Sequence, residues 1–408
     1  MTVTAVLDVR HLSGEWGLRR KAAGLTLIER ALRMVWVNGA YDVVIWASDA
    51  NLADVKAQVA TAKVSLSPIV VTQFNAVKAA VGVSKTILVL DAATVFHRGM
   101  VKDLTSSFDG QSAVIRLPTN ELAALAVIPR GALTNFSSVQ EFAAGLGARE
   151  IHDDRWQVTI HELADLKRAE RSLWLDCRKP LDGMVSRHIN RYMSLFISRL
   201  LAGTPIKPNH ISVFTFSLGI LAGVLASLGG FQNFLLAGLV FQLNSVIDGC
   251  DGELARVRYQ FSVLGEWLDT LSDDFSDVFF WAGLGWGASK TFGGVFGLSP
   301  EIWLWLGVVA VAGKLLSMVV YYRWLIANKR GDLLAFTWSF DSADEESTWL
   351  DAVLKNLKYF AKKDFIVFAA MLLGILGWLP WILVAMAPGN LIVALSVVLE
   401  QAKGRGTA

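Results

Sequence analysis

The residues best suited to chemistry fall within one short stretch. Asp248, Asp251 and Ala255 are spaced i, i+3 and i+7, and Gly265, Asp269 and Asp273 follow at intervals of four. If both stretches are helical, each set occupies a single helix face. Two such helices meeting near a membrane would bring four carboxylates together, and an ionised carboxylate in lipid costs several kcal/mol. One or two divalent cations resolve that conflict. Oxygen donors without His or Cys suit Mg²⁺ or Mn²⁺, which commonly share their coordination with substrate phosphates. Gly252, Ala255 and Gly265 remove bulk from the same faces, which serves either close helix packing or a nucleotide lying against the backbone. Arg256 serves either as a phosphate clamp or as a marker of the cytoplasmic end.

Composition says what must hold these residues. The chain has 408 residues, of which 53% are hydrophobic and 18% charged, and its mean hydropathy is +0.45. That is too apolar for an ordinary soluble enzyme and rules out a disordered chain. Lys and Arg total 38 against 36 Asp and Glu, so no overall basic field points to nucleic acid. Two cysteines, Cys177 and Cys250, form neither a disulfide framework nor a metal-binding pair. The start of the chain lacks a signal-peptide pattern, so the N-terminus is expected in the cytoplasm.

The two halves differ in texture. From Ala5 to about Trp156, short β-rich runs alternate with helical stretches, which predicts a soluble, doubly wound α/β domain over residues 1–162. Residues 163–207 interleave Lys and Arg with apolar side chains, as in an amphipathic helix lying along a membrane surface or a solvated linker helix. Residues 208–403 read as an all-α polytopic membrane domain of six spans: about His210–Leu228, Asn233–Val257, Ser262–Phe279 with an extension, Ile302–Tyr322, Phe365–Leu379 and Ile382–Leu399. Lys329, Arg330, Lys355, Lys358, Lys362 and Lys363 crowd one loop. With the even number of spans, this predicts a multi-pass protein of the inner (cytoplasmic) membrane with both termini in the cytoplasm. Arg178, Lys179, Arg187 and Arg191 form either an anion pocket for a phosphorylated acceptor or a contact to lipid headgroups. Lys314, inside the fourth span, is either a site residue or a lysine snorkelling to the interface.

The run from Asp248 to Asp273 fits D-x2-D-G-x2-A-R-x8-G-x3-D-x3-D at every fixed position and resembles the signature of the CDP-alcohol phosphotransferase family. Lys179-Pro-Leu-Asp-Gly183, Ser186-Arg187, Asn190-Arg191 and Pro208-Asn209 resemble the family's juxtamembrane helix and first span. The resemblance implies transfer of a phospho-alcohol group from a CDP-alcohol donor to an acceptor alcohol, with release of CMP. Asp248, Asp251 and Asp269 would bind a pair of divalent ions. Asp273 would count with them among the metal ligands and act as general base. Gly252, Ala255 and Gly265 would admit the cytidine nucleotide, and the protein would form a homodimer in the lipid bilayer.

The N-terminal half resembles a sugar-phosphate nucleotidyltransferase. Gly24-Leu-Thr-Leu-Ile-Glu-Arg30 opens a helix, Ile87-Leu-Val-Leu-Asp91 ends a strand, and Trp156–Glu170 forms the closing strand and helix. The fusion resembles bifunctional inositol-phosphate cytidylyltransferase/CDP-inositol transferase enzymes, which implies inositol-type chemistry. The phosphate-cradling loop is reduced to Gly14 and Gly17, and the second expected Asp is Thr159 or His161. Two readings follow: a degenerate scaffold, or a working cytidylyltransferase in which Arg19, Arg20 and Lys21 serve CTP. A cation-coupled transporter is a further alternative, opposed by carboxylates gathered at one helix junction and by the lack of inverted repeats.

Overall fold

A computed structural model describes residues 3–12, 19–62, 64–179, 182–292, 299–328 and 362–402. The expected glycine loop at Gly14 and Gly17, and the loop lysines and arginine at 329, 330, 355 and 358, lie outside them. The chain divides into two compact units. One is Met1–Cys177 with Ala202–Thr204 and Arg256–Tyr259; the other is Arg178–Leu201, Pro205–Ala255 and Gln260–Ala408.

The first unit is built on a seven-stranded sheet in the order β10-β8-β9-β6-β1-β4-β5. Strands β1 (Val3–Asp8), β4 (Ala40–Trp46), β5 (Ile69–Val71) and β6 (Thr86–Asp91) run parallel. Between them lie α1 (Leu27–Val37), α2 (Leu52–Thr61) and α3 (Phe74–Ala80). Strand β1 is buried from Thr4 to Asp8, the near-continuous apolar pattern of a strand covered on both faces. Helix α1 starts where Thr26 caps the Glu29 amide at 3.3 Å, as expected of a threonine N-cap. The sheet continues through β8 (Ala113–Arg116), β9 (Leu122–Pro129) and β10 (Arg149–His152), with β9 antiparallel to both β6 and β8. Strands β2 (Lys21–Ala22) and β3 (Leu25–Thr26) form a small hairpin, and β7 (Thr94–Phe96) pairs with β11 (Gln157–Thr159). Helices α4 (Arg98–Ser106), α5 (Val139–Gly145) and α6 (Leu163–Leu175) complete the unit.

The expected boundary at residue 162 differs from the observed one. Helix α6 belongs to the first unit because Leu166, Ala169, Leu173 and Trp174 are buried and Glu170 accepts the Ala23 amide at 2.8 Å. The basic stretch read as one amphipathic segment is therefore two helices. The second, α7 (Arg191–Ala202), follows a π turn over Ser186–Asn190 in the other unit.

That unit contains α8 (Pro208–Leu228), α9 (Phe231–Arg258), α10 (Val263–Thr291), α11 (Pro300–Ala327), α12 (Lys363–Ile375) and α13 (Ile382–Ala402). Four stretches, Pro208–Leu228, Phe231–Arg258, Pro300–Ala327 and Leu379–Val398, are long and apolar enough to cross a membrane. Under half of each is buried, and outward-facing Leu221, Val224, Val308 and Leu315 suit lipid contact. Two of the six expected spans fall short of that measure. Helix α10 is long enough but carries Glu266, Asp269, Asp273, Asp274 and Asp277. Helix α12 stops at Ile375, before Gly377 at φ +79° and a short 3₁₀ turn at Leu379–Trp381.

Small residues set the spacing around α10. A methyl group on Gly283 would overlap the Gly223 carbonyl of α8, and one on Gly285 would lie 2.8 Å from the Gly307 Cα of α11. Backbones this close admit only glycine, as at tight membrane-helix crossings. Replacing Gly283 with Leu is expected to cost at least about 1–3 kcal/mol through overpacking. Thermal unfolding of the detergent-solubilised protein will register this as a lowered midpoint.

Candidate active site

Asp248 and Asp251 project from α9 and Asp269 from α10. One carboxylate oxygen from each lies within 4.8 Å of the others, an all-oxygen donor set of the kind Mg²⁺ and Mn²⁺ take. Asp251 is buried and the other two are half-buried. Ser212 of α8 donates to Asp251 Oδ2 at 2.6 Å. These residues fit a divalent ion, since a half-buried triple negative charge needs a counter-charge.

Asp273 stands one turn further along α10 and is held differently. Lys363 Nζ, at the start of α12, lies 2.9 Å from Asp273 Oδ1 and 3.0 Å from Asp277 Oδ1. The structure thus separates Asp273 from the three clustered carboxylates and pairs it with a cation.

A cavity of ≈ 350 Å³ joins the two arrangements. Asp248 and Asp273 line it together with Lys179, Arg191, Lys362 and Lys363. Asp364 closes another side by accepting the Ser186 amide at 2.7 Å, and a side chain on Gly183 would overlap the Asp364 carboxylate.

Arg191, read from sequence as an acceptor contact, has fixed partners. Its guanidinium bonds both oxygens of Asp182 at 2.8 and 2.9 Å and Glu253 Oε1 at 2.8 Å. Burial raises the Asp182 carboxyl, but the Arg191 bonds and charge outweigh it and hold the group below its ordinary value. Glu253 is fully buried and also accepts from Ser194 at 2.6 Å and Ser198 at 2.7 Å. Glu253 thereby ties α7 to α9, the helix bearing Asp248 and Asp251. Sequence reasoning passed over Glu253, whose signal is a charged residue inside an apolar helix and within the motif.

Of the remaining expected residues, Arg187 is exposed on the π turn. Lys314 pairs with Asp274 at 2.8 Å and Asp277 at 2.9 Å, so its ammonium is committed to carboxylates. A methyl group on Gly265 would lie 2.9 Å from Asn209 Oδ1 and from Ser262 Oγ, so a larger residue there would make those two side chains shift. Gly252 and Ala255 are half-buried on α9. Arg256, grouped with the first unit, donates to the Cys177 carbonyl at 3.4 Å.

The first unit has its own acidic pair. Asp8 ends β1 in register with Asp91 of β6, at the point where strand order reverses and α/β sheets commonly bind ligands. Arg10 lies beside Asp8, towards Trp46 at the end of β4. It bonds both Asp8 oxygens at 2.9 and 2.8 Å, the Phe136 carbonyl at 3.0 Å and the Ser137 carbonyl at 3.2 Å, and stacks 3.5 Å from the Trp46 ring centroid. Burial pushes the Asp91 carboxyl above its ordinary value, against bonds from the Ala93 amide and the Thr94 hydroxyl. Thr159, which with His161 stands where the resemblance expected an Asp, meets Thr94 at 2.9 Å.

Residues 206–388 match the CDP-alcohol phosphatidyltransferase family. The resemblance read from the Asp248–Asp273 motif is borne out over that segment. A bifunctional IPC transferase and DIPP synthase from Thermococcus kodakarensis is 35% identical over 153 residues, 37% of this chain and 32% of that protein. The protein of the same name from Aquifex aeolicus is 28% identical over 241 residues, 58% of this chain and 48% of that one. An archaetidylinositol phosphate synthase from Pyrococcus horikoshii is 34% identical over 82 residues, 20% of this chain and 42% of that protein. The chain thus spans about a third to a half of these relatives. Among solved structures, 4-diphosphocytidyl-2C-methyl-D-erythritol synthase from Anaerococcus prevotii is similar at 10% identity and a TM-score of 0.34, over 42% of this chain and 98% of that one. UTP-bound UGPase from Acinetobacter baumannii matches at 14% identity and a TM-score of 0.34, over 44% of this chain and 95% of that one.

Truncating Glu253 to Ala leaves the buried Arg191 short of one partner and is expected to destabilise the helical unit by about 3 kcal/mol. Thermal melts of the variant against the parent protein check this, and an unchanged midpoint would deny Glu253 its tying role.

Proposed function

We propose that this chain is an integral membrane CDP-alcohol phosphotransferase that moves a phospho-alcohol group from a CDP-linked donor to an acceptor hydroxyl and releases CMP. The observation that carries the reading is the meeting of the Asp248, Asp251 and Asp269 oxygens beside a cavity walled by Asp273 and four basic side chains. Bound there, one or two Mg²⁺ or Mn²⁺ ions would neutralise the donor diphosphate and the charge growing on the CMP leaving group.

The protein's own groups do the rest. Asp248, Asp251 and Asp269 are the residues that would hold those ions. Gly252 and Ala255, with Gly265 at the start of the facing helix, leave the nucleotide room along the backbone, and Arg256 neutralises phosphate. Asp273 takes the proton from the acceptor hydroxyl as the new O–P bond forms and the bond to CMP breaks. Lys179 and Lys362 give the cavity positive charge, which favours a phosphorylated polyol acceptor of the inositol-phosphate type. In this reading the chemistry lies at the cytoplasmic face, α10 and α12 are two further spans beside the apolar four, α7 lies along the membrane surface, and the active protein is a homodimer.

The first unit is best read as a scaffold with a nucleotidyltransferase-like fold. The Arg10 guanidinium neutralises Asp8 at the end of β1, which a catalytic ion would otherwise use. The bifunctional reading, in which this unit makes the CDP-alcohol, requires Arg10 to leave.

CMP release by the full-length protein with Mg²⁺ tests the proposal, using CDP-diacylglycerol and CDP-inositol as donors and inositol phosphate among the acceptors. Turnover is expected with one donor. Asp273→Asn should remove it by at least about 100-fold while keeping metal-dependent CDP binding. Supplying CTP and inositol phosphate to the same preparation should yield no pyrophosphate; its release would establish the bifunctional alternative.

A further inference from the structure

The proposed reaction leaves a buried set of charges on the far side of Asp273 without a task. Asp273, Asp274 and Asp277 sit within little more than one turn of α10. Asp273 and Asp277, four residues apart, share a helix face. Lys363 bridges them. A lysine ammonium has three donors and no acceptor. Here it donates to the Asp273 carbonyl at 3.3 Å and ion-pairs with Asp273 Oδ1 at 2.9 Å and Asp277 Oδ1 at 3.0 Å, all on α10. Beyond it, Lys314 of α11 joins Asp277 at 2.9 Å to Asp274 at 2.8 Å. Asp274 in turn accepts from the hydroxyls of Tyr321 and Tyr322.

A lysine stem is long and flexible. Left to itself at the edge of a cavity that also holds Asp248, Lys363 would find a neighbouring carboxylate or a bound phosphate as attractive as Asp273. Asp277 removes that freedom by anchoring the ammonium from the buried side, where it is 8% exposed. Lys314 offsets the negative charge of Asp277, so the anchor itself carries little net charge into the protein.

We infer that Asp277 and Lys363 are positioning residues for Asp273. By sharing one ammonium they fix the Asp273 carboxylate apart from the three clustered carboxylates and leave it to receive the acceptor's proton. This inference rests on the proposed transferase reading. Asp274 serves as an internal control, because it belongs to the same charged set and pairs with Lys314, whereas Lys363 pairs with Asp273 and Asp277. A purely structural staple would make the Asp277 and Asp274 variants alike. A positioning role sets them apart, because a displacement of about 1 Å at a reacting group can cost roughly 100-fold in rate.

The test compares Asp277→Asn, Asp274→Asn and Lys363→Gln in the full-length protein by steady-state CMP release, thermal midpoint and Mn²⁺-dependent CDP binding. The expected result is a 10- to 100-fold fall in kcat for Asp277→Asn and Lys363→Gln, with KM for the donor and CDP binding within about twofold. Asp274→Asn should lose thermal stability to a similar extent while keeping kcat within about threefold. Lys363→Arg should recover part of the kcat that Lys363→Gln loses. Equal loss of kcat in the Asp274 and Asp277 variants would reduce the set to a staple, and full activity in both Asp277→Asn and Lys363→Gln would overturn the inference outright. If Asp277→Asn does not fold, Lys363→Gln, altered on a partly exposed side chain, decides the matter alone. No CMP release from the unaltered protein would instead overturn the transferase reading, and this inference with it.

Discussion

Three carboxylates held within 4.8 Å of one another in an apolar helical unit repel each other and lose hydration, and both effects favour either protonation or a bound cation. The rest of the helical unit is arranged around that constraint. Helices α8, α9 and α10 must approach closely enough to gather the three, and glycine at the crossings allows it. Ser212 supplies a hydroxyl to Asp251, which orients the carboxylate without neutralising it. The cluster's negative charge is thereby kept available.

The neighbouring acids are treated in the opposite way. Asp182, Glu253, Asp273, Asp274 and Asp277 each have a Lys or Arg nitrogen within 3.0 Å. Ion pairs of this kind yield little net stability when both charges are buried, yet breaking one is costly. Their value here is geometric. Arg191 and Glu253 fix α7 against α9, and Lys363 fixes α12 against α10, so the cavity walls are set by charge pairs at defined distances.

The sequence made the acidic site legible because helical periodicity converts spacing into a shared face: Asp248 with Asp251, and Asp269 with Asp273, are local relations. The partners of Arg191, Lys314 and Lys363 were not legible, since they are ion pairs between elements far apart in the chain. Read singly, Arg191 and Lys314 look like ligand contacts and Lys363 like a topogenic charge. In the first unit the parallel strands stood out as buried β-branched runs, whereas β8, β9 and β10 escaped notice. Alanine fills much of β9, and the antiparallel pairing that places it next to β6 is again non-local. The basic residues of α6 mask a buried stripe of Leu166, Ala169 and Leu173, whereas the long helix α10 was legible as the expected span Ser262–Phe279 with its extension.

The central claim is that Asp248, Asp251 and Asp269 form a divalent-cation site completed by the donor's diphosphate. Mn²⁺ binding to the full-length protein, followed by electron paramagnetic resonance with and without CDP, tests it most directly. The account predicts binding that CDP tightens and that Asp251→Asn weakens at least about tenfold. Equal Mn²⁺ affinity in a variant with all three aspartates changed to Asn would contradict it.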